Sequence, residues 1–263
     1  MTFYPEECKL TSPLIFDTHA HLDDERFKDI LPSLLDEMHT NGVDAIITNG
    51  CDYASSSKAL ELAHKYPFIY AAVGIHPQSD KSFGEFEKIR DLCQDERCVA
   101  IGEIGLDYYY VSDNKSAQKD IFEQQMLLSN YIKKPVIVHD RDAHEDTLSL
   151  LQKHKPCGVV HCFSGSVEMA REINKLGLYI GIGGVLTFKN SKKLPDVAKE
   201  FPIEKILLET DCPYLSPEPY RGKTCHSGLI TLTAQKLAEI KNLSLENILK
   251  ITNKNAHRIF KIV

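Results

Sequence analysis

Two histidines one residue apart, His19 and His21, stand at the end of a short apolar run, Leu14-Ile15-Phe16. If that run is a strand, alternate side chains share a face and both imidazoles point the same way. Neutral imidazole is the commonest protein ligand for a metal ion, so the pair reads as half of a metal site. Two polar loop histidines would read the same in isolation. The rest of the chain separates the two readings.

Other chemistry-bearing residues recur where apolar runs end. His76 follows the third run, in Gly74-Ile75-His76-Pro77, where it either binds a phosphate or caps the loop. Glu103 lies in Gly102-Glu103-Ile104-Gly105-Leu106-Asp107, His139 in Val138-His139-Asp140-Arg141, and His161 in His161-Cys162-Phe163-Ser164-Gly165. Glu209-Thr210-Asp211 closes the last run, so five of the eleven histidines and several acids fall at run ends. Imidazole and carboxylate without thiolate suit Zn, Mn, Co, Ni or Mg. The six ligands His19, His21, Glu103, His139, His161 and Asp211 exceed the needs of one tetrahedral ion and suit two divalent ions. Two ions roughly 3.5–4 Å apart can clamp the attacking and leaving oxygens of a hydrolysis. Glu103, from a middle run, is the candidate bridge. Asp211 is the candidate base that takes a proton from the attacking water. Asp17 and Asp107 read as residues that orient the ligands, and Cys162 as a small buried residue. His39, His64, His144, His154, His226 and His257 fall on helical or loop stretches and read as solvated.

These residues need a scaffold that gathers strand ends. Eight apolar runs read as strands: 14–19, 43–49, 69–73, 99–104, 136–139, 158–161, 178–182 and 206–210. They are nearly continuous, as strands buried on both faces are. Helical patterns lie between them at 30–40, 55–66, 85–92, 117–132, 145–153, 167–176 and 194–200. The stretch 229–260 reads as two or three further helices with a break near Asn242. Eight strands with interleaved helices predict a single α/β domain over 1–263, a TIM-type (β/α)8 barrel with extra C-terminal helices. No Gly-rich dinucleotide fingerprint follows the first run, which argues against an open doubly wound sheet. In a barrel the active site lies at the C-terminal strand ends, where the candidates fall.

The 263 residues are 43% hydrophobic and 26% charged, an ordinary globular balance. No run approaches the ~20 apolar residues of a membrane span. The start, MTFYPEECKL, lacks the basic and apolar regions of a signal peptide. Eight cysteines without a Cys-x-x-Cys predict free thiols in a cytoplasmic protein. A net charge of −6 argues against a broad basic surface gripping duplex nucleic acid. It leaves room for a nucleic-acid substrate met by bound cations.

In order and wording, these motifs resemble the TatD-like metal-dependent deoxyribonucleases. Phe16-Asp17-Thr18-His19-Ala20-His21-Leu22, the Gly102–Tyr108 segment, Pro135–Arg141, His161–Gly165 and Leu208-Glu209-Thr210-Asp211 carry the resemblance from the first strand to the last helices. It implies a barrel of the amidohydrolase superfamily and a divalent-metal-dependent deoxyribonuclease that works as a 3'-5' exonuclease, on single-stranded or end-bound DNA. It places His19, His21, Glu103 and Asp211 around one ion and Glu103, His139 and His161 around the second. Tyr220-Arg221-Gly222-Lys223 resembles the family's basic loop, but Thr224-Cys225-His226-Ser227 follows where many relatives have Asn and an acid. Arg141, Arg221, Lys223 and His76 are the phosphate contacts on offer. Tyr108, Tyr109 and Tyr110 either stack on a base or pack a loop. The alternative keeps the site and changes the bond, to a small-molecule amide or ester. An electropositive rim with exposed aromatics favours the first reading, and a closed apolar pocket the second. No membrane and no obligate protein partner is implied.

Overall fold

Continuous apolar runs become strands covered on both sides, by the barrel lumen within and by helices outside. The computed structural model describes residues 4–262 apart from Pro13 and Val111. The first three residues of the N-terminal stretch therefore lie outside the described ones. Eight parallel strands pair in sequence order: β1 (Ile15–Ala20), β2 (Val43–Asn49), β3 (Ile69–Val73), β4 (Cys98–Asp107), β5 (Val136–Arg141), β6 (Gly158–Val160), β7 (Tyr179–Ile182) and β8 (Ile206–Leu208). A bridge between Ala20 and Cys212 brings the first strand back to the last, giving a TIM (β/α)8 barrel. The helices are α1 (Leu31–Thr40), α2 (Tyr53–Lys65), α3 (Phe86–Leu92), α4 (Lys115–Ile132), α5 (His144–His154), α6 (Val167–Lys175), α7 (Leu194–Glu200), α8 (Ile230–Lys241) and α9 (Leu245–Phe260). Among the described residues, no helix is long and apolar enough to cross a membrane.

The lumen is packed, with small side chains such as Ala45, Ala72 and Ala100 beside Phe16, Ile137 and Leu207. Ile259 and Phe260 of α9 join this cluster, and the Phe260 ring lies 6.3 Å from that of Phe16. The lumen is thus filled and closed at one end, which leaves the C-terminal mouth as the place for a cavity. Asn242 ends α8 with φ 54°, a left-handed geometry that Asn tolerates.

Two strands run further than their apolar runs suggest. β4 and β5 stay paired from Ile104↔Val138 to Asp107↔Arg141, past the apolar segment of either. Glu103 therefore sits within β4, not near its end. Gly105 allows this pairing: at φ 146°, an added Cβ would collide with the carbonyl of His139.

Candidate metal centre

The mouth opens into a cavity of 1230 Å³ whose floor is built from histidines and carboxylates. All six expected ligands converge there, and Glu103 lies at the centre. Its Oε2 is 3.2 Å from His19 Nε2 and 3.5 Å from His21 Nε2. Its Oε1 is 2.8 Å from both His139 Nδ1 and His161 Nε2. Asp211 Oδ1 closes the first group, 3.4 Å from His21 Nε2 and 3.7 Å from His19 Nε2. One carboxylate thus faces two donor groups, one with each oxygen.

The outer hydrogen bonds show which ring nitrogens can donate a lone pair. His21 Nδ1 lies 3.2 Å from the Asn49 carbonyl, an acceptor only. His139 Nε2 lies 3.2 Å from Asp107 Oδ2. In the neutral rings these outer nitrogens carry the proton, so the inner lone pairs face the centre as metal ligation requires. His76 behaves in the opposite way. Its Nε2 approaches Glu103 Oε1 to 3.3 Å, close enough to count as a ligand by distance alone. But its Nδ1 accepts the Gln78 backbone N–H at 3.1 Å, so the neutral ring presents N–H, not a lone pair, to the centre.

The electrostatics are those of a site built around positive charge. Burial alone would raise the Glu103 carboxyl, yet His161, His76, His19 and His139 together hold it well below the usual range. Burial would also raise Asp211, but its hydrogen bond to His21 and the charge of His19 outweigh that. Burial lowers His139, but hydrogen bonds to Asp107 and Glu103 win and push it up to about 9. Burial, reinforced by His161, drops His19 to about 4. Nδ1 of His19 and of His161 are buried without a hydrogen-bond partner, so these rings are not held in place by hydrogen bonds on their outer sides.

Supporting residues fix the ligands. A bulge between Asp17 and Ala20 interrupts the alternation of β1. Asp17 is fully buried and accepts hydrogen bonds from His19 N, Thr210 N and Thr210 Oγ1, anchoring the turn that carries Asp211. Asp107 binds Tyr109 N and Tyr110 N through Oδ1 and Gln78 Nε2 through Oδ2, besides meeting His139.

Several residues differ from their sequence reading or gain a role it lacks. Glu209 is buried, occupies the space that the missing side chain of Gly181 leaves, and accepts the Cys162 backbone N–H. Its Oε1 lies 3.8 Å from His161 Nδ1, and burial pushes its pKa up to about 8. Cys51, just past β2, places Sγ 3.9 Å from His21 Nδ1, and the strand-end rule applied to β2 would have found it. Cys162 is only part-buried and lines the cavity, as do His76 and Arg141. Arg221 and Lys223 do not line it: their cationic ends lie over the Phe188 and Tyr220 rings. The Tyr108 hydroxyl donates to Asp146, whereas Tyr109 and Tyr110 stay exposed. His226 is a correction to the solvated set, being buried with its ring 5.7 Å from that of Tyr4. His154 is nearly covered, beside Glu123 at 2.9 Å, and half-buried His257 pairs with Asp44. A contact between residues so distant in sequence, such as Tyr4 with His226, leaves no periodic trace.

A barrel with this His and carboxylate cluster at its mouth defines the class of metal-dependent hydrolases. The model of TatD-related DNases matches residues 16–261, and the chain belongs to the TatD family. It is 40% identical over 254 residues to the uncharacterized metal-dependent hydrolase YabD of Bacillus subtilis, covering 95% of this chain and 100% of that protein. It is 33% identical to the uncharacterized metal-dependent hydrolase YcfH of Escherichia coli, covering 94% and 96%. The crystal structure of YjjV, a TatD homologue of Escherichia coli, superposes with TM-score 0.88 at 29% identity, covering 95% of this chain and 99% of that one.

Proposed function

We propose that the protein is a divalent-metal-dependent deoxyribonuclease that removes nucleotides from the end of a DNA single strand, in the manner of a 3'-5' exonuclease. It would use two ions chosen from Zn, Mg, Mn, Co and Ni. His19, His21, Glu103 and Asp211 would hold one, and Glu103, His139 and His161 the other. When bound, such a pair supplies Lewis acidity and a water of lowered pKa. The chain's own residues do the rest. Asp211, ionised at neutral pH, takes a proton from the attacking water. His76 offers its Nε2–H to an oxygen of the scissile phosphate, and Arg141 offers its guanidinium to the phosphate chain.

The observation that favours a phosphodiester over a small amide or ester is the rim. Arg141 lies 4.6 Å over the Tyr109 ring and 5.0 Å over the Tyr110 ring, both rings more than half exposed. That is an open cationic and aromatic edge, not a closed apolar pocket. End-labelled single-stranded oligonucleotides incubated with metal-loaded protein test the proposal. Stepwise shortening that EDTA abolishes is expected. Intact oligonucleotides alongside hydrolysis of simple amides or lactones would move the reading to the small-molecule alternative.

A further inference from the structure

The cavity walls carry opposite charges because different strands build them. Asp23 and Asp24 follow β1 and Asp52 follows β2, and all three line one side, Asp24 being paired with Arg26 at 2.8 Å. Arg141 ends β5, and Lys192 and Lys193 lie between β7 and α7, lining the other. In a barrel whose strands pair in numerical order, the ends of β1 and β2 lie across the mouth from those of β5 and β6, and Lys193, after β7, lies close enough to His144, just past β5, to act on its charge. The second wall also holds Asp140, engaged by His144 at 2.7 Å, and Asp142, so its three cations exceed its free carboxylates by two. Elsewhere, some exposed lysines, such as Lys28, Lys88, Lys175, Lys236 and Lys250, pair with a glutamate on the same turn. Among the described residues, Lys192, Lys193 and Arg141 have no carboxylate partner. A chain of net charge −6 thus keeps three cations without a carboxylate partner on one wall of this cavity.

Beside this wall stands a fixed aromatic surface. Tyr110 lines the cavity and is 63% exposed. Its backbone N–H is held 2.8 Å from Asp107 Oδ1, and the other oxygen of that carboxylate meets His139. One side chain therefore ties the Tyr110 backbone to the metal centre. A tyrosine face accepts only a base that is not already stacked in a duplex.

Building on the nuclease reading, we propose that Lys192 and Lys193 hold the phosphate, and Tyr110 the base, of the nucleotide next to the scissile bond. The preferred substrate is then a single strand of several nucleotides rather than a dinucleotide or a simple diester. The acidic wall repels a second run of phosphates, so the strand leaves the centre along one side.

The test compares kcat/KM on a single-stranded hexanucleotide with kcat/KM on bis(p-nitrophenyl) phosphate, for the metal-loaded full chain. In K192A/K193A the ratio should fall at least ~10-fold, since two charge-assisted phosphate contacts are lost. The slope of log kcat/KM against log salt for the hexanucleotide should flatten by about 0.7, since one phosphate of a single strand is no longer neutralised. Tyr110→Ala should lower the ratio at least ~5-fold, and Tyr110→Phe should restore it. An unchanged ratio and salt slope, with the wild type cleaving the hexanucleotide, overturn the track and leave the nuclease reading standing. A wild type that hydrolyses the small diester but not the hexanucleotide overturns the nuclease reading and the track with it.

Discussion

Asp107 Oδ2 lies 3.2 Å from His139 Nε2, on the far side of a ring whose Nδ1 lies 2.8 Å from Glu103. The carboxylate thereby sets the tautomer that turns a lone pair toward the centre. Asp107→Asn tests this with little change in volume. The two N–H groups of Tyr109 and Tyr110 keep the amide oxygen at the Oδ1 position. The amide NH2 then confronts His139 Nε2 and drives the ring proton to Nδ1. Affinity for the ion on the His139 side should fall about 10–100-fold, with activity recovered at high metal concentration. Metal titration of the variant checks this. Unchanged affinity for both ions would mean that Asp107 does not set the ring.

Protons compete with metal for the same rings. Besides His139 at about 9, His21 and His161 are raised. For both, hydrogen bonds and charges from neighbouring thiol or carboxylate groups outweigh the lowering by burial. In metal-free protein at pH 7 His139 is protonated, and His21 and His161 hold a proton more tightly than a free ring, so an arriving divalent cation must compete with protons. His19, near 4, is already neutral. Metal affinity should therefore climb with pH up to about 9, by about tenfold per pH unit for each proton released. The stability sign is the reverse. A His raised in the folded state stabilises below its unfolded pKa, and that contribution is lost as pH rises through the folded value. Metal-free protein should thus weaken between pH 6.5 and about 9. Calorimetric titration in buffers of different ionisation heat counts the protons. A pH-independent affinity would contradict the charge states.

His76 should matter for turnover and not for metal content. Its Nδ1 is committed to Gln78 N–H, so Nε2 acts as a donor. His76→Ala should retain both ions and lose about 10²-fold or more in kcat, the usual cost of one donor aimed at developing charge. Metal analysis and single-turnover cleavage on the same sample separate the effects. Loss of an ion would make His76 a ligand through a flipped ring.

The cluster was legible because its residues obey one rule, a His or acid where an apolar run ends. β2, β3 and α7 match their sequence periodicity residue for residue. The extension of β4 and β5 could not be read from either run, since it arises from their pairing. The proton on His76 depends on the backbone of Gln78, and the burial of His226 depends on Tyr4. Arg221 and Lys223 sit in a basic motif, yet neighbouring rings hold both cations away from the cavity. Lys192 and Lys193 belong to no motif, and only the barrel shows which wall they line.

Asp211 has φ 60°, a left-handed backbone that few side chains other than Asn and Asp accept readily. Its backbone N–H bonds the His19 carbonyl at 2.9 Å, and the preceding Thr210 is fixed by Asp17. Asp211→Asn therefore keeps the turn, the volume and one oxygen facing His21, and removes only the basicity. If Asp211 is the base, the variant should bind metal and DNA yet cleave at least ~10²-fold more slowly, the lower end of what general-base assistance supplies. The loss should persist at saturating metal, because five of the six centre residues still hold the ions. Single-turnover cleavage with metal content measured on the same sample decides the matter. Near-normal cleavage at full occupancy would assign proton removal to another group.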